Sequence, residues 1–143
     1  MTTSRGHCLC GAVRFTAQVS KKEIDSCHCS MCQRWTGGPI MCVQADAAPA
    51  FEDEAALGVY RSSEWAERVF CRTCGSSILW RSLDGRHHSI PVALLDGLDG
   101  LDGASFTTEI FIDEKPPYYS FAGERTRMTG AEVVAAFGGE AEE

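Results

Sequence analysis

Seven of the eight cysteines in this 143-residue chain fall into three tight clusters. Cys8 and Cys10 form C-x-C, Cys27, Cys29 and Cys32 form C-x-C-x-x-C, and Cys71 and Cys74 form C-x-x-C. Such spacing lets a tight turn aim neighbouring sulfurs at one point, where backbone N–H groups can donate to the thiolates. Gly11 and Gly75 each directly follow a cluster, and glycine there permits a left-handed backbone and a close approach. Zn²⁺ favours soft thiolates in a tetrahedral array: four protein ligands close a structural site, and three leave a position open for substrate. The pairs Cys8/Cys10 and Cys71/Cys74 make one closed set. Cys27, Cys29 and Cys32 offer three ligands, the arrangement of a catalytic zinc. Spacing by itself leaves other partitions open.

The remaining chemistry-bearing residues are less committed. Cys42 sits in an apolar run and reads as a buried core residue, with the role of fourth ligand to the three-cysteine site as the alternative. His28, between two cysteines, is expected to point away from their metal. His7 is equivocal, and His87 and His88 fall on opposite faces of a strand, as packing and solvated residues. No nucleophile elbow, phosphate loop or dinucleotide fingerprint occurs.

A formal net charge of −7 argues against a general nucleic-acid surface, which needs a basic stripe. The N-terminal residues have no apolar stretch of the kind a signal peptide needs, and no run is long enough to span a membrane. These features point to the cytoplasm, where thiols stay reduced, and so to metal before disulfides. With 44% hydrophobic residues, one domain spanning 1–143 is expected.

The elements that must position the cysteines read as β. In residues 11–18, Val13, Phe15 and Ala17 alternate with Ala12, Arg14 and Thr16, the pattern of a half-buried strand. Further strands are expected over 24–28, 40–45, 57–62, 66–70, 76–82, 86–95 (where Pro91 suggests an edge or a bulge) and 107–113, where Glu109, Phe111 and Asp113 share one face. Residues 33–36 form a helical turn ended by Gly37-Gly38-Pro39, and 46–56 form a loop with a little helix. Asp84-Gly85 marks a hairpin turn. The Asp96–Gly103 repeat looks only superficially like a calcium loop. Thr129 and Glu132 make a capping box ahead of Val133, Val134 and Phe137, giving one short C-terminal helix before an acidic tail.

Three segments taken together resemble the glutathione-dependent formaldehyde-activating family, whose domain is shared with centromere protein V. They are Gly6-His7-Cys8-Leu9-Cys10-Gly11-Ala12-Val13, Cys27-His28-Cys29-Ser30-Met31-Cys32-Gln33-Arg34-Trp35-Thr36-Gly37 and Phe70-Cys71-Arg72-Thr73-Cys74-Gly75-Ser76. The likeness spans a core of about residues 6–119, leaving 120–143 as a C-terminal extension. It implies a mainly β fold, a zinc-bridged β-tent of short antiparallel strands. It also implies two Zn²⁺ per chain, a structural ion on Cys8, Cys10, Cys71 and Cys74 and a second on Cys27, Cys29 and Cys32. The activity implied is that of a carbon–sulfur lyase interconverting S-(hydroxymethyl)glutathione with glutathione and formaldehyde.

Glutathione as co-substrate is anionic and its carboxylates need donors. Arg34 and Arg72 lie nearest the cysteines in sequence, with Arg68 and Arg81 as second choices. Trp35 is expected to pack in the core, or else to wall the pocket. Two other readings fit the same cysteines. One is a zinc-stabilised thiol-binding or interaction module without catalysis. The other is a zinc-thiolate redox sensor that releases metal on oxidation.

Overall fold

Alternation places the first core strand. Val13, Phe15, Ala17 and Val19 are all buried, while Arg14 points to solvent. In the computed structural model, which describes residues 2–96 and 103–136, this strand is β2 (Arg14–Val19). It pairs antiparallel with β1 (Thr2–His7) on one side and with β5 (Ala50–Phe51) on the other, forming a three-stranded sheet. The polar segment Thr2-Thr3-Ser4-Arg5-Gly6-His7 carries no alternation of its own; it becomes a strand because β2 supplies its hydrogen-bonding partner.

The other eight strands of the described residues form one sheet: β3 (Glu23–Cys27), β4 (Ile40–Gln44), β6 (Leu57–Arg61), β7 (Ala66–Cys71), β8 (Ser77–Ser82), β9 (His88–Pro91), β10 (Ser105–Ile110) and β11 (Thr126–Met128). Their order is β11-β10-β3-β4-β9-β8-β7-β6. The pairs from β3 through β6 are antiparallel as expected, but β10 runs parallel to both of its neighbours, β3 and β11. Strand β9 is shorter than expected: after Pro91 the chain turns through a 3-10 segment, Val92–Leu94. Between the two sheets lies the main core, with Phe15, Val19, Val43, Val69, Ile78, Leu79 and Ile90 at its centre.

Among the described residues two α-helices complete the fold, one more than the C-terminal helix expected. Helix α1 (Ser30–Thr36) runs through the expected turn but begins three residues earlier, because Cys29 caps it: its sulfur accepts from the Cys32 backbone N–H at 3.3 Å. Helix α2 (Gly130–Ala136) starts at the expected capping box. The Glu132 carboxylate accepts from Thr129 N at 2.8 Å, and the Thr129 hydroxyl accepts from Glu132 N at 3.2 Å. Residues beyond Tyr119 thus contribute both an edge strand and a helix.

Strand β10 ends at Ile110, so Phe111 does not continue the face of Glu109. Its backbone turns left-handed (φ 56°) and its ring packs with Ile40 and Val133 in a second, smaller core beside the cysteines. Apart from Asp96 and Gly103, the expected Asp96–Gly103 loop lies outside the described residues, as do Phe137 and the acidic tail. Among the described residues no helix is long and apolar enough to cross a membrane.

Candidate metal centre and substrate cavity

The seven clustered cysteines converge into two groups. The Sγ atoms of Cys8, Cys10, Cys71 and Cys74 all lie within 4.8 Å of one another, as do those of Cys27, Cys29 and Cys32. None of the eight cysteines is in a disulfide.

The first group joins two turns. Cys8 and Cys10 follow β1, and Cys71 and Cys74 close the β7–β8 hairpin. The left-handed glycines stand where the spacing requires them, Gly11 at φ 85° and Gly75 at φ 82°. Each turn points N–H groups at sulfur: Val13 N at 3.3 Å from Cys8 Sγ, Ala12 N at 3.4 Å from Cys10 Sγ, and Thr73 and Cys74 N at 3.4 Å from Cys71 Sγ. The Ser76 hydroxyl, 3.1 Å from Cys74 Sγ, does most to pull that thiol down to about 5. The separations Cys8–Cys10 (3.7 Å) and Cys10–Cys71 (3.8 Å) can be set against a metal geometry. A tetrahedron of sulfurs about 2.3 Å from Zn²⁺ has edges of about 3.8 Å. The donor set and its dimensions fit a closed four-thiolate site.

The second group is built by β3 and α1. Cys27 ends the strand, Cys29 caps the helix and Cys32 lies in its first turn. All three are buried. Hydrogen bonds from Cys27 and then Cys29, helped by Arg68, hold the Cys32 thiol at about 3, while hydrogen bonds with Cys29 and Cys32, and burial, push Cys27 well above the usual thiol range. Three convergent sulfurs also fit a soft divalent metal, with one tetrahedral position left to another ligand. Cys42 is buried nearby on β4 but does not join the group, and its thiol is raised by burial.

The Cys27–Cys32 segment is anchored from behind. His28 is fully buried and its ring points away from the sulfurs, as expected from its position between two of them. Its Nε2 lies 2.8 Å from Glu109 and its Nδ1 2.8 Å from the Tyr119 hydroxyl, which also accepts from Gln33 at 2.7 Å. Burial alone would raise the Glu109 carboxyl, but Arg125 (2.6 Å), His28 and Arg127 (3.1 Å) hold it below the usual range. These anchors are scattered through 109–127, and nothing in the cysteine spacing marks them.

The three sulfurs open onto a cavity of about 610 Å³, lined by residues of α1, α2 and the large sheet. Trp35, Trp65, Trp80, Ile110 and Phe111 give it aromatic and apolar walls, and Trp65 meets Trp80 edge-to-face at 5.7 Å. Trp35 therefore walls the pocket. The arginine at the sulfurs is Arg68 of β7, one of the second choices. It is 4% exposed, with Nη1 3.7 Å from Cys32 Sγ, Nη2 3.7 Å from Met31 Sδ, and its guanidinium over the Trp35 ring. Arg34 is exposed on α1 and does not line the cavity. Arg72 bonds the Leu57 carbonyl beside the other cluster, and Arg81 pairs with Glu67. Asp25 of β3 also lines the cavity, its carboxyl pushed up to about 6 by burial.

This pairing of sulfur groups on two β-sheets has a family. Residues 3–114 match the model of the glutathione-dependent formaldehyde-activating enzymes, and the chain belongs to that family. Over 134 residues it is 31% identical to a protein of Schizosaccharomyces pombe described as an uncharacterized lyase, covering 94% of this chain and 96% of the relative. The crystal structure of a Rhodobacter sphaeroides protein shares the fold, with a TM-score of 0.59 and 24% identity over 71% of this chain and 96% of that one.

Proposed function

We propose that the protein is a zinc-dependent carbon–sulfur lyase that cleaves and forms thiol–aldehyde adducts of the S-(hydroxymethyl)glutathione type. It would carry a structural ion on Cys8, Cys10, Cys71 and Cys74, a second on Cys27, Cys29 and Cys32, and act in the reducing cytoplasm. The observation that carries this reading is the three-sulfur group on the wall of a substrate-sized cavity, with Cys42 outside the group and one ligand position free. A purely structural role would call for four protein ligands there.

A zinc ion on Cys27, Cys29 and Cys32 would supply a position that stabilises a substrate sulfur as thiolate. In the cleavage direction the carbon–sulfur bond of RS–CH₂–OH breaks with its electron pair on sulfur. The hydroxyl proton is lost, formaldehyde leaves, and the thiolate takes up a proton to become RSH. This chain's own residues set the conditions. Three thiolates exceed a divalent charge by one, and the buried Arg68 guanidinium beside Cys32 restores neutrality, so an incoming anionic sulfur meets no net negative centre. His28, fixed by Glu109 and Tyr119, holds the Cys27–Cys29 turn in place. The tryptophan walls give the reacting carbon an apolar surround.

Metal content and a thiol titration on one purified sample test the reading. Two zinc ions per chain, with saturable binding that requires a free thiol and is lost in Cys29→Ser, is the expected result. Two ions without thiol binding would move the protein to the interaction-module reading. Reversible release of one ion by mild peroxide, without thiol binding, would make it a redox sensor.

A further inference from the structure

The cavity has a charge pattern that bears on which thiol it takes. All thirteen Lys and Arg residues of the chain lie within the described residues, yet only Lys21 and Arg68 line the cavity. The Arg68 guanidinium already meets Cys32, Met31 and the Trp35 ring, and its Nε is buried without a hydrogen-bond partner. Against these two cations stand four carboxylates, Glu23, Asp25, Glu64 and Asp84, of which Asp84 is already paired with Arg86 at 2.9 Å. Trp35, Trp65, Trp80 and Ile110 line the same space as apolar walls.

A glutathione molecule with its sulfur at Cys27, Cys29 and Cys32 would bring two carboxylates into this space. Burying a carboxylate without a matched donor costs several kcal/mol, and like charges nearby add to that cost. Lys21 is one flexible point charge, where paired guanidinium donors give the strong bidentate contacts. An aromatic or aliphatic body, by contrast, gains about 25 cal/mol for each Å² of apolar surface it buries.

We propose that the thiol partner of this site is an apolar, aromatic-bodied thiol without carboxylates, and that glutathione is discriminated against. The inference rests on the lyase reading, because it takes the three-sulfur group as the place where the substrate sulfur binds. An ammonium group on the substrate is compatible with the mouth, where Glu23 and Glu64 would receive it.

The test is a matched series on the zinc-loaded protein, read by calorimetry and tryptophan fluorescence. Benzyl mercaptan and 4-(mercaptomethyl)benzoate share a ring and a thiol and differ by one carboxylate; glutathione is the third probe. Benzyl mercaptan is expected to bind at least about tenfold more tightly than either anion. Glu64→Lys, an exposed position, should narrow that gap by improving the benzoate. If glutathione or the benzoate binds as tightly as benzyl mercaptan, with binding lost in Cys29→Ser, the inference fails and the lyase reading stands. If no probe binds in a Cys29-dependent way, both fail together.

Discussion

Arg68→Met removes the one positive charge beside the three-sulfur group and keeps much of the side-chain volume over Trp35. At 3.7 Å from Cys32 Sγ, a unit charge at an effective dielectric of about 20 is worth about 4–5 kcal/mol of attraction. Part of that is offset, because the variant no longer buries a guanidinium. A net loss of about 1.5–3 kcal/mol remains, matching the 10- to 100-fold drop in metal affinity typical when an outer-shell partner is removed. The assay is competition with a chromophoric chelator, titrated until both ions have left. The site on Cys8, Cys10, Cys71 and Cys74, whose ligand Cys71 lies three residues along β7 from Arg68, is titrated in the same experiment for comparison. Only the more weakly held ion should shift, and Arg68→Lys, keeping charge without the planar stack, should recover part of the loss. Retention of both ions within about threefold of wild type in Arg68→Met would refute the charge-compensation argument.

Cys71→Ser should unfold much of the chain, since it opens a closed site joining the two sheets, whereas Cys29→Ser should keep near-native circular dichroism and lose one ion. Glu109→Gln leaves Arg125 without its buried anion and should lower stability by about 3 kcal/mol in urea unfolding, the low end for a broken buried pair because Arg127 can turn to water. The depressed Glu109 carboxyl contributes stability that is full above its unfolded value of 4.5 and is lost as pH falls through the lower folded value. Wild type should therefore lose more stability below pH 4.5 than Glu109→Gln does. Thr129→Ala removes the α2 cap and should cost about 1 kcal/mol, seen as a small drop in thermal midpoint.

The local features were legible in sequence because each is set within a few residues. Val13, Phe15 and Ala17 reveal a strand face, Thr129 and Glu132 a helix start, and the cysteine spacings three turns aimed at metal. What sequence could not give is partner choice. Alternation fixes a strand's period but not its neighbour, so nothing in Thr107–Ile110 says that β10 lies parallel between β3 and β11. Arg34 looked close to the metal because it is two residues from Cys32, yet on a helix that offset turns a side chain to the opposite face. Arg68 reaches the sulfurs through sheet pairing, from 36 residues away. The strand at Thr2–His7 was hidden for the same reason, being created by its partner.

The four-sulfur junction between Cys10 and Cys71 closes a loop whose ends are 61 residues apart. For a cross-link of that span the chain-entropy estimate is about 4 kcal/mol, a debt the bare polypeptide must meet before any contact across it is rewarded. The C-x-C and C-x-x-C turns are local and can each hold metal while the rest of the chain is still open. Metal caught by one turn makes the search for the other a search for a ligand rather than for a hydrophobic surface. With zinc at this junction, as proposed above, folding speed would become a function of the free ion, fast when zinc is replete and slow, with exposed strand edges, when it is scarce.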